Sequence, residues 1–73
     1  ALGRIGPAAA DAVPALVDAL ADKSNFVRYE AAQALGRIGP AARPALQSLR
    51  ALRFDENYNV RDAAAEAMQR IQR

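Results

Sequence analysis

The sequence predicts an all-α fold in which helix pairs stack side by side as an α-solenoid. Three observations predict it: a composition of strong helix formers, a phrase that returns every 33 residues, and two apolar patterns of helical period inside each period.

Ala, Leu, Arg, Gln and Glu favour the helix and β-branched residues are sparse, which moves the prior to all-α before any pattern is read. With 73 residues the chain is near the lower limit for burying a self-sufficient core. His and Cys are absent, which excludes a thiol nucleophile, a disulfide and the usual zinc sites. Net charge is +2, and nine of the ten cations are Arg, but eight acids are mixed among them and no basic block forms. No apolar run approaches the roughly 20 residues of a membrane span, and no signal peptide stands at the start. A cytoplasmic location without membrane contact is expected. Ala1 opens a phrase that reads as mid-helix, so the N-terminus is expected to be a cut through a larger array.

The repeat decides the fold. Ala1-Leu2-Gly3-Arg4-Ile5-Gly6-Pro7 recurs letter for letter from Ala34 to Pro40 and returns, degraded, as Ala67-Met68-Gln69-Arg70-Ile71-Gln72-Arg73. Residues 1–40 laid on 34–73 without gaps give 19 identities in 40 positions. A fixed period of this size marks a solenoid, whose units bury their apolar faces against their neighbours. The expected division of the single region 1–73 is the end of a second helix in 1–6, one full unit in 7–39 and a final, capping unit in 40–73.

Within a unit, helix A carries Val13, Leu16, Val17 and Leu20 at i, i+3, i+4 and i+7. Helix B carries Val27, Ala31, Ala34, Leu35 and Ile38, and its later copy Val60, Ala64, Ala67, Met68 and Ile71. Ser24 and Asn57, at equivalent places, are the expected N-caps of the two B helices. Gly39-Pro40 is expected to end one helix and start the next, and Gly6-Pro7 to make the same joint earlier. Pro14 and Pro44 either sit in a first turn or kink helix A. Gly3 and Gly36 lie inside helix B, where Gly costs about 1 kcal/mol against Ala, so close packing against a neighbouring helix is the expected reason for them. Phe26 and Phe54 are expected to cap the core near the A–B turns, with Tyr29 and Tyr58 the more exposed aromatics.

The run Val27-Arg28-Tyr29-Glu30-Ala31-Ala32-Gln33-Ala34-Leu35-Gly36-Arg37-Ile38-Gly39-Pro40 resembles helix B of HEAT-like repeats of the phycobilisome-lyase type. Ala12 to Leu20 is similar to that family's helix A. The resemblance covers essentially the whole chain and implies that helix B lines the concave side. It also implies that Asp22 and Asp55 in the A–B turns, with Arg28 and Arg61 in the first turn of helix B, form a structural ladder between units. The last unit departs from the pattern: Gln69 to Arg73 replaces Gly-Arg-Ile-Gly-Pro, as a polar terminal unit would.

Positions left over from packing mark the partner-binding face: Arg4, Tyr29, Glu30, Gln33 and Arg37, then Asp62, Glu66 and Arg70. Tyr29, Gln33 and Arg37 fall at i, i+4 and i+8, with Asp62, Glu66 and Arg70 beside them. Arg4, Arg37 and Arg70 recur at the repeat period, and their planar guanidinium forks suit carboxylate or phosphate. The plainer reading is inherited consensus, with Glu66 and Arg70 satisfying each other at i, i+4. Catalysis has little to stand on, since Ser24 and Ser48 lack a partnered base and Asp62 and Glu66 lie on a solvated face. No catalytic residue, metal or cofactor is expected, and the chain is read as a non-enzyme.

The leading functional expectation is a protein-interaction scaffold or adaptor holding an unidentified protein partner on the helix-B surface. The alternatives are binding of a nucleic-acid backbone or other anion through the Arg ladder, an engineered or consensus-like repeat without natural function, and a module associated with bilin lyases. Self-association is also expected through the first unit's edge, where Leu2, Ile5, Val13 and Leu16 would be partly uncovered.

Overall fold

The computed structural model describes residues 5–72, with side chains from Asp11 onward. Four helices follow in order: α1 (Ile5–Ala19), α2 (Asn25–Ile38), α3 (Leu46–Ala51) and α4 (Tyr58–Gln72). Short 3₁₀ segments at Gly39–Ala45 and Leu52–Phe54 flank α3. Among the described residues there is no β-strand.

Helices α1 and α3 take the helix-A place in successive units, and α2 and α4 the helix-B place. The N-cap expectation holds. Ser24, at φ −80° and ψ 126°, accepts from the Val27 N–H, and Asn57 Oδ1 accepts from the Val60 N–H at 3.1 Å. Gly39 ends α2 at φ +77°, a conformation that side chains with a Cβ rarely adopt, and its N–H donates to the Leu35 carbonyl.

The expected joint at Gly6-Pro7 does not appear. Among the described residues α1 is helical through Ile5, Gly6 and Pro7 without a break, so these positions lie inside a helix instead of at a joint. Residues 1–4, and with them Leu2, Gly3 and Arg4, lie outside the described residues. Pro14 stands inside α1, exposed to solvent, and leaves the carbonyl four residues before it without its helical donor.

The second A helix is irregular for a reason visible in its residues. Pro44 has no N–H to donate to the carbonyl four residues back, which breaks the α-helical ladder there, and Gly39–Ala45 winds as 3₁₀. Leu46, Leu49 and Leu52, spaced by three, suit that tighter winding, which resumes at Leu52.

The two layers close on a core in which Leu35, Leu49, Val60 and Ile71 are fully buried. Each such burial contributes about 1.5–3 kcal/mol. Equivalent positions in the two units are not equally covered. Val60, Ala67 and Ile71 on α4 are buried, whereas Val27, Ala34 and Ile38 on α2 are only half-buried. Val13, expected at an uncovered edge, is buried instead; Leu16 is half-buried as expected, and the side chains of Leu2 and Ile5 lie outside the described residues. Phe26 and Phe54 do not cap the core: they are 68% and 85% exposed. Both lie at helix ends beyond the last buried position, and Phe54 instead meets the guanidinium of Arg53 at 6.0 Å from its ring centre.

Candidate partner-binding groove

Helices α2 and α4 run parallel, and two features fix their approach. The first is Gly36. A Cβ built there would lie 3.1 Å from the Ala67 Cα and 3.3 Å from its Cβ, so the helices touch backbone to backbone where the side chain is missing. The close-packing reason expected for Gly36 is thus met.

The second is the turn ladder at the N-terminal ends. Arg28 Nη1 donates to the carbonyls of Asp22 at 2.7 Å and Lys23 at 3.1 Å, closing the turn of its own unit. Its Nη2 donates to Asn25 Oδ1 and, at 3.2 Å, to Asp55 Oδ1 in the next unit. Arg28 Nε lies 2.8 Å from Asp55 Oδ2, a charge contact in which the N–H is not aligned for a hydrogen bond. The motif repeats with the period. Arg61 Nη1 donates to the Asp55 carbonyl at 2.6 Å as Arg28 does to that of Asp22. Asp22 and Asp55 each accept at 2.8 Å from the N–H two residues on, of Ser24 and Asn57.

Burial pushes the Asp55 carboxyl up, but the Asn57 N–H, the Arg28 hydrogen bond and the charges of Arg28 and Arg61 outweigh it. The carboxyl is held below its ordinary value. Asn25 is the member of this network that the sequence reading did not single out; its position one turn before Arg28 was the available signal.

Above this ladder, α2 and α4 enclose a shallow cavity of about 160 Å³. Ala32, Gln33, Gly36 and Arg37 line it from α2, and Ala63, Glu66, Ala67 and Arg70 from α4. Small residues make its floor and polar ones its walls. Arg37 and Arg70 also border a second hollow at the C-terminal ends, beside Gly39 and Pro40. The expected face is brought together only in part. Gln33, Arg37, Glu66 and Arg70 share the groove; Tyr29 stands behind Gln33, half-buried, its hydroxyl accepting from Gln33 Nε2 at 3.0 Å. Asp62 is exposed one turn before Glu66, while Glu30 is exposed but does not line the groove, and Arg4 lies outside the described residues. Glu66 and Arg70 pair across one turn at 3.2 Å, both well exposed, a contact worth little on its own. Arg37 and Asp62 have no ion-pair partner among the described residues.

The described residues bring no three His, Cys, Asp or Glu side chains together for a metal ion. No helix among them is long and apolar enough to cross a membrane.

Parallel B helices joined by a periodic Arg–Asp turn ladder define a tandem helix-pair repeat protein, an α-solenoid. The family model described as HEAT repeats matches residues 1–69, and the chain belongs to that family. The match is to HEAT repeats in general and does not single out the phycobilisome-lyase type. Members commonly serve as protein-interaction scaffolds. Neither the curated proteins nor the solved structures contain a match to this chain.

Proposed function

We propose that this chain is a non-catalytic, cytoplasmic interaction module that holds a segment of a partner protein in the groove between α2 and α4. The observation that carries the reading is the groove itself, where small residues on the floor let a partner approach closely and Arg37, without an ion-pair partner among the described residues, stands beside Gln33 on the wall. Arg is enriched where binding energy concentrates. The test is affinity capture with the wild-type chain and with a Gln33→Ala, Arg37→Ala variant whose helical circular dichroism is unchanged. The expected result is a protein held by the wild type and lost from the variant. Equal capture by both would sink the assignment.

A second reading, self-association, is favoured by the unequal burial of equivalent residues. Val27, Ala34 and Ile38 are half-covered where Val60, Ala67 and Ile71 are buried, so a second copy resting on that side of α2 would complete the burial. Sedimentation should then show concentration-dependent association that Ile38→Lys removes. A monomer at every concentration would reject it.

A further inference from the structure

The face shared by α2 and α4 carries its charge unevenly. By spacing, the α4 stripe reads Asp62, Glu66, Arg70 and the α2 stripe Tyr29, Gln33, Arg37. Gln33, Arg37, Glu66 and Arg70 line the groove and Asp62 stands exposed one turn beyond it, so both cations lie at the C-terminal end with the acids one and two turns before them. From Asp62 to Arg70 is eight residues, about 12 Å at the helical rise. The two end charges, Arg37 and Asp62, have no ion-pair partner among the described residues. The middle pair, Glu66 with Arg70, is exposed enough to exchange partners readily. The cations fall where the helix ends concentrate negative potential, which accounts for two Arg there. It does not account for acids on the same stripe one and two turns before.

We propose that the groove takes a protein segment of mixed charge, whose carboxylate meets Arg37 and Arg70 and whose cation, about 12 Å along, meets Asp62 and Glu66. This rests on the groove reading given above and adds the chemistry of its occupant. A uniform polyanion is disfavoured on the same grounds: a nucleic-acid backbone laid along the stripe to reach the two Arg would bring further phosphates against Asp62 and Glu66. An all-basic segment fails at the other end, against Arg37 and Arg70.

Four extended residues span about 13 Å, so the probe is a short labelled Ala-based peptide with one Glu and one Lys four residues apart. It is compared by fluorescence anisotropy with Glu–Glu and Lys–Lys versions of the same length and with a single-stranded oligonucleotide, all at low ionic strength. The mixed peptide should bind roughly tenfold tighter than either single-sign peptide, a ratio that shrinks as salt screens it. In an Asp62→Lys, Glu66→Lys variant with unchanged helical content the preference should pass to the Glu–Glu peptide and the oligonucleotide. Equal or tighter binding of the Glu–Glu peptide or of the oligonucleotide by the wild type overturns the proposal, as does binding of none. If protein capture still depends on Gln33 and Arg37 while the peptides show no such preference, the groove reading stands and its charge polarity falls.

Discussion

Arg28 and Asp55, 27 residues apart, bind consecutive units into one body: the guanidinium Nε lies 2.8 Å from Oδ2, and Nη2 donates to Oδ1 at 3.2 Å. The side chains are 11% and 8% exposed, so the pair sits where water competes poorly. Its remaining donors close the Asp22–Lys23 turn. One side chain therefore shapes a turn within its unit and ties the next unit to it.

Removing Arg28 leaves the Asp55 carboxylate and two turn carbonyls short of donors. Arg28→Ala should cost about 3–5 kcal/mol, enough to unfold so small a chain. Among the described residues the Arg61 side chain makes one hydrogen bond, to the Asp55 carbonyl, so Arg61→Ala should cost about 0.5–1.5 kcal/mol. Urea denaturation followed by circular dichroism separates the two; equal losses would contradict the ladder.

Acid should loosen the same joint. Burial raises the Asp55 carboxyl, yet the Asn57 N–H, Arg28 and Arg61 together lower it below 3.8 in the folded chain. A group depressed by folding contributes stability that is fully present above its unfolded value and is lost as pH falls through the folded one. Midpoints should hold above about pH 5 and fall through the acid range below it. In Asp55→Asn that acid-side fall should be smaller, starting from a lower plateau. A variant curve parallel to the wild type would show that Asp55 is not the group responsible.

Positions 36 and 69 are equivalent in the repeat but opposite in environment. Gly36 is buried against Ala67, and Gln69 is exposed on α4. Gly36→Gln should lower stability by about 1–3 kcal/mol through overpacking against backbone. Gln69→Gly should cost only about 1 kcal/mol, from helix propensity alone. Thermal melts of the two variants decide it, and a harmless Gly36→Gln would refute the close approach.

The exposed aromatics give a contrasting case. Phe54→Ala should change stability by no more than about 0.5 kcal/mol, while Leu35→Ala should cost about 2–5 kcal/mol. A large loss at Phe54 would restore a role in the core.

Much of the fold was legible because it repeats. The 33-residue period located both B helices, Ser24 and Asn57 as their caps, and Gly36 as a contact, since each signal occurs at matched positions or depends on local chemistry. The second A helix was less legible because Pro44, which removes a donor from its interior, is compatible either with a first turn or with a break in the helix, and the spacing alone does not choose between them. Phe26 and Phe54 were misread because hydrophobicity at a turn does not say which way the chain turns there. The groove was half legible: spacing aligned Tyr29, Gln33 and Arg37, but only the packing of α2 on α4 decides that Gln33 and Arg37 line the groove while Tyr29 and Glu30 do not.

Gly36 belongs at once to the helix contact and to the groove wall, with the Cδ of Arg70 only 3.6 Å from where its Cβ would stand. The gauge between the two guanidinium groups is therefore set by an absent atom. A methyl introduced there would act as a shim, wedging α2 from α4 and resting on the stem of Arg70, so that the separation of Arg37 and Arg70 is reset with both guanidinium groups intact and the jaw width of this module is adjustable from beneath its floor.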